Sequence, residues 1–207
     1  TEFYVSSNGL VTFGAGSASA NEQPIPTATI PNNFIAPFWD DLTVSTAGNI
    51  LYTTIGAEPN RKLIIQFRNM GFYPSPAYMG TFAVILYETS GKIQVQYRLL
   101  VLKDNDRSLG SSATIGIENS TGTAGVQYAY HQAGAVNTNK AISFTPTGST
   151  YLMDDDAIYE GVYLTTNMTL PEPAITTLLN PAENAVTGTS QTFSWAESQY
   201  AASYSLK

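Results

Sequence analysis

The chain reads as an all-β protein, an antiparallel β-sandwich or partly closed barrel, and three features of its 207 residues predict this. Apolar residues recur at every second position in several short runs, the period at which successive side chains point to opposite faces of a sheet. The chain's 16 Gly and 11 Pro interrupt it too often for long helices. No stretch sustains the 3.6-residue spacing of an amphipathic helix.

The strands follow in order. Phe3 and Val5, then Val11 and Phe13, flank Asn8-Gly9. That pair favours a type I′ hairpin turn because both residues tolerate positive φ. Leu63, Ile65 and Phe67 alternate with Ile64, Gln66 and Arg68. Phe82, Val84 and Leu86 alternate likewise before Ser90-Gly91, after which Ile93, Val95, Tyr97 and Leu99 alternate with Gln94, Gln96 and Arg98. This predicts a half-buried antiparallel hairpin with one face towards a core. Further strands are expected at Ala113–Glu118, Val126–His131 and Ala141–Phe144. Residues 1–146 are expected to form one β-sandwich. Residues 147–173 read as an ordered connector with one strand, in which Asp154-Asp155-Asp156 and Pro171–Pro173 bracket the apolar run Ile158–Leu164. Residues 174–207 start a fresh set of strand signals, with turns at Asn180-Pro181 and Gly188 and too few strands to close a sheet.

Charged residues make up 12% of the chain, against roughly 25% in an average domain. The surface must therefore be built from Ser, Thr, Asn, Gln and Tyr, which suits an extracellular protein and faces that touch neighbours with little charge to desolvate. The net charge of −7 and the absence of any Lys/Arg run exclude nucleic acid as a natural partner and disfavour anionic membrane surfaces. No Cys is present, so disulfides, thiolate nucleophiles and cysteine-held metals are excluded. Extracellular eukaryotic modules of this size often carry disulfides, so the composition leans towards a bacterial or archaeal surface protein. No apolar run approaches the roughly 18 residues that span a bilayer, so no membrane insertion is expected. No secretory leader is visible in the chain either.

Six phrases occur in register: Val5–Gly14 (VSSNGLVTFG), Ile35–Leu42 (IAPFWDDL), Gly48–Gly56 (GNILYTTIG), Asn60–Phe67 (NRKLIIQF), Val84–Tyr97 (VILYETSGKIQVQY) and Ala113–Tyr128 (ATIGIENSTGTAGVQY). Together they resemble the nidogen-like (NIDO) domain and its bacterial secreted relatives. The resemblance implies an extracellular module of adhesive and matrix proteins and supplies no catalytic residues. The tail, with TFSW at Thr192–Trp195 and ASYSL at Ala202–Leu206, resembles the opening of a fibronectin type III or Ig-like domain. Both ends look like cut edges of a longer polypeptide, which would leave a sheet edge to be completed by a partner or by more of the same chain.

Candidate sites follow from residue type. Asp40 and Asp41, after Trp39, are either oxygen ligands for calcium or a turn in which an Asp side chain bonds backbone N–H groups while Trp39 packs inside. Asp104 and Asp106, in the segment Asp104–Gly110, have the spacing of a calcium loop, but Leu109 stands where that loop needs Gly and no Glu closes it. The alternative is a solvated loop between strands. Asp154, Asp155 and Asp156 repel one another, so they are exposed or hold a cation. His131 is the lone histidine, and no nucleophile-elbow motif accompanies it. No local motif pairs two of the 16 acids for glycoside hydrolysis. Met70–Gly80 reads as a Pro/Gly/Tyr loop between strands, and Phe72, Tyr73 and Tyr78 are its candidate interface residues, since aromatics bring contact area at low entropic cost. Asn119 and Asn167 head glycosylation sequons, which matter only in a glycosylating compartment.

The functional expectation is a non-catalytic extracellular or cell-surface protein, an adhesion or structural module of a multidomain secreted protein. The alternatives are a self-assembling subunit of an extracellular filament with strand exchange between subunits, and a carbohydrate-binding module. Its partners would be other proteins, copies of itself or glycans, and calcium the only ion in view.

Overall fold

The computed structural model describes residues 2–102 and 106–165, together with the backbone of two later strands. One sheet is built from β1 (Phe3–Ser6), β2 (Leu10–Phe13), β3 (Phe34–Trp39), β8 (Thr114–Glu118), β9 (Gly125–Tyr130), β12 (Leu178–Asn180) and β13 (Ser190–Trp195). Its order is β12-β13-β1-β2-β3-β8-β9. The other holds β4 (Leu42–Ile55), β5 (Lys62–Phe72), β6 (Ser75–Tyr87), β7 (Ile93–Leu100), β10 (Lys140–Thr147) and β11 (Thr150–Asp154), in the order β11-β10-β7-β6-β5-β4. A single 3₁₀ turn at Arg107–Leu109 is the only helical element among the described residues. The two sheets stack as a sandwich and do not close into a barrel.

The period-two runs fill the space between the sheets. Ile65, Phe67, Phe82, Val84, Val95, Tyr97, Ile142 and Phe144 meet Phe3, Val5, Val11, Ile35, Ile115 and Ile117 in one continuous core. Phe67 stacks on Phe82 with ring centroids 4.8 Å apart, and Phe82 lies 5.7 Å from Phe38 at the end of β3. Each such side chain removed from water contributes about 1.5–3 kcal/mol. Tyr97 is wholly buried, and its hydroxyl donates to the Pro37 carbonyl at 2.6 Å, a bond that links the two sheets. Burial holds that phenol well above its ordinary pKa.

Two local expectations are corrected. The turn after β1 is not type I′: Gly9 has a φ of 75° while Asn8 does not adopt positive φ. Gly9 N–H donates to the Ser6 carbonyl, and Ser6 pairs with Leu10, so the loop has three residues and ends in a left-handed glycine. Asn8 is drawn out of the left-handed region by its contacts: its carbonyl accepts from Asp40 N–H and its Oδ1 from Leu42 N–H. The Met70–Gly80 segment is likewise not a long loop. β5 and β6 run through it, pairing Gly71 with Tyr78 and Phe72 with Ser75, and register shifts absorb the extra residues.

A third difference concerns the outer faces. Gln66, Gln94 and Gln96 point away from the core yet are each 1% exposed. Residues 157–165, a strap after β11, lie over them, with Leu164 packing on Leu51, Ile64 and Ile85. Residues 15–33 cover the other sheet in the same way. There Ile25 joins Leu10, Phe34, Ala36 and Trp39, and Trp39 Nε1 donates to the Ser19 carbonyl at 2.8 Å. Each sheet is thus buried on both faces where its cover lies, which the expectation of a half-buried hairpin missed.

Within the expected connector, the strand is β11, and the apolar run Ile158–Leu164 forms the strap. Of the expected second domain, β12 and β13 are described by backbone alone. β13 pairs antiparallel with β1, Phe3 opposite Phe193, so this edge is completed from within the chain. The remainder of residues 166–207 lies outside the described residues, as does the likeness to a fibronectin type III or Ig-like domain that was read there.

Candidate functional site

Four of the singled-out residues converge at one corner of the sandwich. The chain leaves β3 at Trp39 and enters β4 at Leu42, which puts Asp40 and Asp41 on a tight turn beside the 3₁₀ turn. Asp40 is 1% exposed. Its Oδ1 accepts from Arg107 Nη2 at 2.6 Å and from Asp41 N–H at 2.7 Å, and its Oδ2 accepts from Ser112 Oγ at 2.5 Å. Arg107 Nε also donates to Ser112 Oγ at 3.0 Å. The guanidinium lies 4.1 Å over the Phe72 ring, at the root of the β5–β6 hairpin. Tyr73 N–H donates to the Asp41 carbonyl at 3.0 Å, which ties the hairpin tip to the same turn.

The arrangement carries out the turn chemistry expected of Asp40: the carboxylate organises backbone N–H while Trp39 is buried beside it. Arg107 and Ser112 were not anticipated, and they satisfy a buried carboxylate that would otherwise be costly. The signal for Arg107 was its rarity, one of 9 cationic residues, placed inside an acidic segment. Asp106 starts the 3₁₀ turn in the left-handed region, with φ 65°, and its side chain makes no capping hydrogen bond. Asp104 lies outside the described residues. Among the described residues no three of His, Asp and Glu are grouped as ligands for a metal ion.

The hairpin divides the aromatic candidates by alternation. Phe72 is 3% exposed and belongs to the core, so it supports the tip and offers nothing to a partner. Tyr73 is 61% exposed, and Tyr78 is partly buried beside it. What results is an aromatic side chain held outward on a base fixed by Phe72, Arg107 and Asp41.

The other candidates sit apart. His131 follows β9 at φ 49°, stacks on Tyr130 and bonds Glu22 Oε1 at 3.0 Å. Asp154, Asp155 and Asp156 are all exposed, and Asp154 Oδ1 accepts from Asp156 N–H. Asn119 Oδ1 accepts from the N–H groups of Thr123 and Ala124, closing the β8–β9 turn, while Asn167 lies outside the described residues. Sequence reasoning passed over Glu118, the last residue of β8. It is fully buried, and its Oε2 accepts from Thr27 N–H at 2.7 Å, anchoring the cover over the seven-stranded sheet. Burial pushes its carboxyl up to about 6, against the pull of the Thr27 N–H.

No helix among the described residues is long and apolar enough to cross a membrane. A family model described as NIDO related matches residues 1–153. Comparison with curated proteins matched nothing, and comparison with solved structures matched nothing.

Proposed function

Since the chain belongs to the NIDO-related family, a non-enzymatic, extracellular type of module, we propose that it serves adhesion or structure within a multidomain secreted protein, making its contacts through the β5–β6 hairpin tip. The observation that carries this reading is the exposure of Tyr73 on a base that is itself buried and cross-braced. A tyrosine so placed loses little entropy on binding and brings a broad amphipathic surface. The small share of charge in the chain suits the same role, since few ions must be desolvated when the face is covered.

The test compares the chain with its Tyr73→Ala and Tyr78→Ala variants for adhesion to cells and to immobilised extracellular proteins, with a glycan array in parallel. Tyr73→Ala is expected to weaken adhesion by about tenfold, the usual scale for an aromatic anchor, and to leave the melting temperature unchanged. Equal adhesion by all three proteins would refute the assignment of the contact to this tip. Binding confined to the glycan array would turn the reading to a carbohydrate-binding module.

A further inference from the structure

The strap is held by side chains of the sheet beneath it, not by a ladder. Gln94 Nε2 donates to the Ile158 carbonyl at 3.0 Å, and Gln96 Nε2 to the Val162 carbonyl at 3.3 Å. Gln66 bonds Leu164 in both directions: Nε2 donates to its carbonyl at 3.0 Å, and Oε1 accepts its N–H at 2.8 Å. Glutamine amides on the sheet thus bond the main chain of the strap on both sides of Gly161, where φ is 68°. Side chains supply selectivity. Lys62 Nζ lies 2.6 Å from Glu160 Oε2, and the Tyr87 hydroxyl donates to Oε1 of the same carboxylate. Lys62 and Lys92 sit over the Tyr87 ring at 4.8 and 4.0 Å. Arg98 lies 3.5 Å over the Tyr163 ring, and Leu164 fills the apolar floor of Leu51, Ile64 and Ile85.

We propose that this outer face is a peptide seat which also accepts residues 157–165 of a second copy of the chain, so that copies join by exchanging straps. The seat has the three recognition points of a peptide site: amides for the main chain, cations for an acid, and an apolar floor for a leucine four residues later. Residues 157–165 join neither β-ladder, so the strap itself holds no ladder hydrogen bond, and the chain returns to a sheet only at β12 and β13. An empty seat exposes Leu51, Ile64 and Ile85 to water, which favours an occupant. The strap of another copy re-forms every contact one for one, and exchange of identical elements costs little beyond association. The junction that must open is the exposed Asp155 and Asp156, which directly follow Asp154 at the end of β11, so three adjacent like charges meet there. Copies of net charge −7 repel, so exchange strengthens as salt screens them. The proposal does not rest on the adhesion reading, because its seat lies on a different part of the surface and its test involves no other protein.

The chain has no Cys, which permits a direct experiment. A Gln66→Cys chain is mixed with a Leu164→Cys chain under mild oxidation, beside a single chain carrying both substitutions. The expected result is a disulfide-linked heterodimer exceeding either homodimer by about tenfold, the ratio that separates a specific juxtaposition from collision. Sedimentation of the unaltered chain gives the second measurement. The dimer fraction should rise with protein concentration and with NaCl, and Leu164→Asp should lower it by about tenfold or more, in keeping with the loss of one buried leucine. Closure of the doubly substituted chain without heterodimer formation in the mixture overturns the proposal. So does an unaltered chain that stays monomeric at every concentration and salt.

Discussion

Replacing Glu118 by Gln should remove a pH dependence from folding stability whose sign and size the structure sets. Glu118 is fully buried, and burial raises its carboxyl from 4.5 to about 6. Between those values the folded chain holds a proton that the unfolded chain has released, so stability falls as pH rises through this window. The full effect is about 2 kcal/mol, taking roughly 1.4 kcal/mol for each pH unit separating the two states. Asn32, with its amide turned to donate, places Nδ2 3.0 Å from Oε1, which favours the charged form and makes that figure an upper value. Gln keeps an oxygen to accept Thr27 N–H and abolishes the titration. Glu88, held low by hydrogen bonds from Arg61, pulls the profile the other way. So does Glu160, where bonds from Lys62 and Tyr87 outweigh an opposing burial effect. Both are common to the two proteins and cancel in the difference. The assay is urea unfolding followed by tryptophan fluorescence from pH 4 to 8. The stability of the unaltered chain minus that of Glu118→Gln should drop by up to about 2 kcal/mol across the window and be level above it. A difference that stays constant, or that grows with pH, would refute the reasoning.

Gly9→Ala should cost about 3 kcal/mol or more and lower the soluble yield, because φ is 75° and a Cβ would sit 1.8 Å from the Phe38 carbonyl oxygen; a melting temperature within a few degrees of the parent would contradict this. Arg107→Met keeps apolar contact with Phe72 but strands the Asp40 carboxylate, at about 3 kcal/mol, and adding Asp40→Asn should restore much of the loss in chemical denaturation. Calcium chloride and EDTA should give the same melting temperature, since Arg107 and Ser112 already engage the Asp40 carboxylate; a rise with calcium that Asp40→Asn abolishes would show an ion at that turn.

The strands were legible because each apolar run from Leu63 to Tyr97 repeats every second residue, a period that orients side chains to a core; Leu99, expected on that face, is 45% exposed, because a register shift after Tyr97 turns Leu100 inwards instead. The covers were not. Residues 15–33 and 157–165 have no period, since they are held by isolated bonds such as Trp39 to Ser19 and Gln66 to Leu164, whose partners stand far apart along the chain. Gln94 and Gln96 were read as the second face of a half-buried hairpin, and only the strap makes that face interior. At the candidate site, Asp40 and Tyr73 could be picked out by type, but the Arg107–Asp40 pair spans 67 positions and no spacing rule connects its members. The division of Phe72 from Tyr73 was not readable from the period: alternation continued from Leu63, Ile65 and Phe67 points Asn69 and Gly71 inwards, and only the register shift between Phe67 and Met70 turns Met70 and Phe72 to the core.

The way the strap is fastened also bears on mechanics. Tension applied at Thr165 reaches Leu164 and its bonds to Gln66 first, then Val162 on Gln96, then Glu160 on Lys62, and finally Ile158 on Gln94. These attachments peel singly, whereas the β10–β11 ladder behind them bears load along several rungs together. A pulled molecule should therefore pay out a short length of slack at low force before any strand yields, behaving as a shock absorber in series with a stiff body.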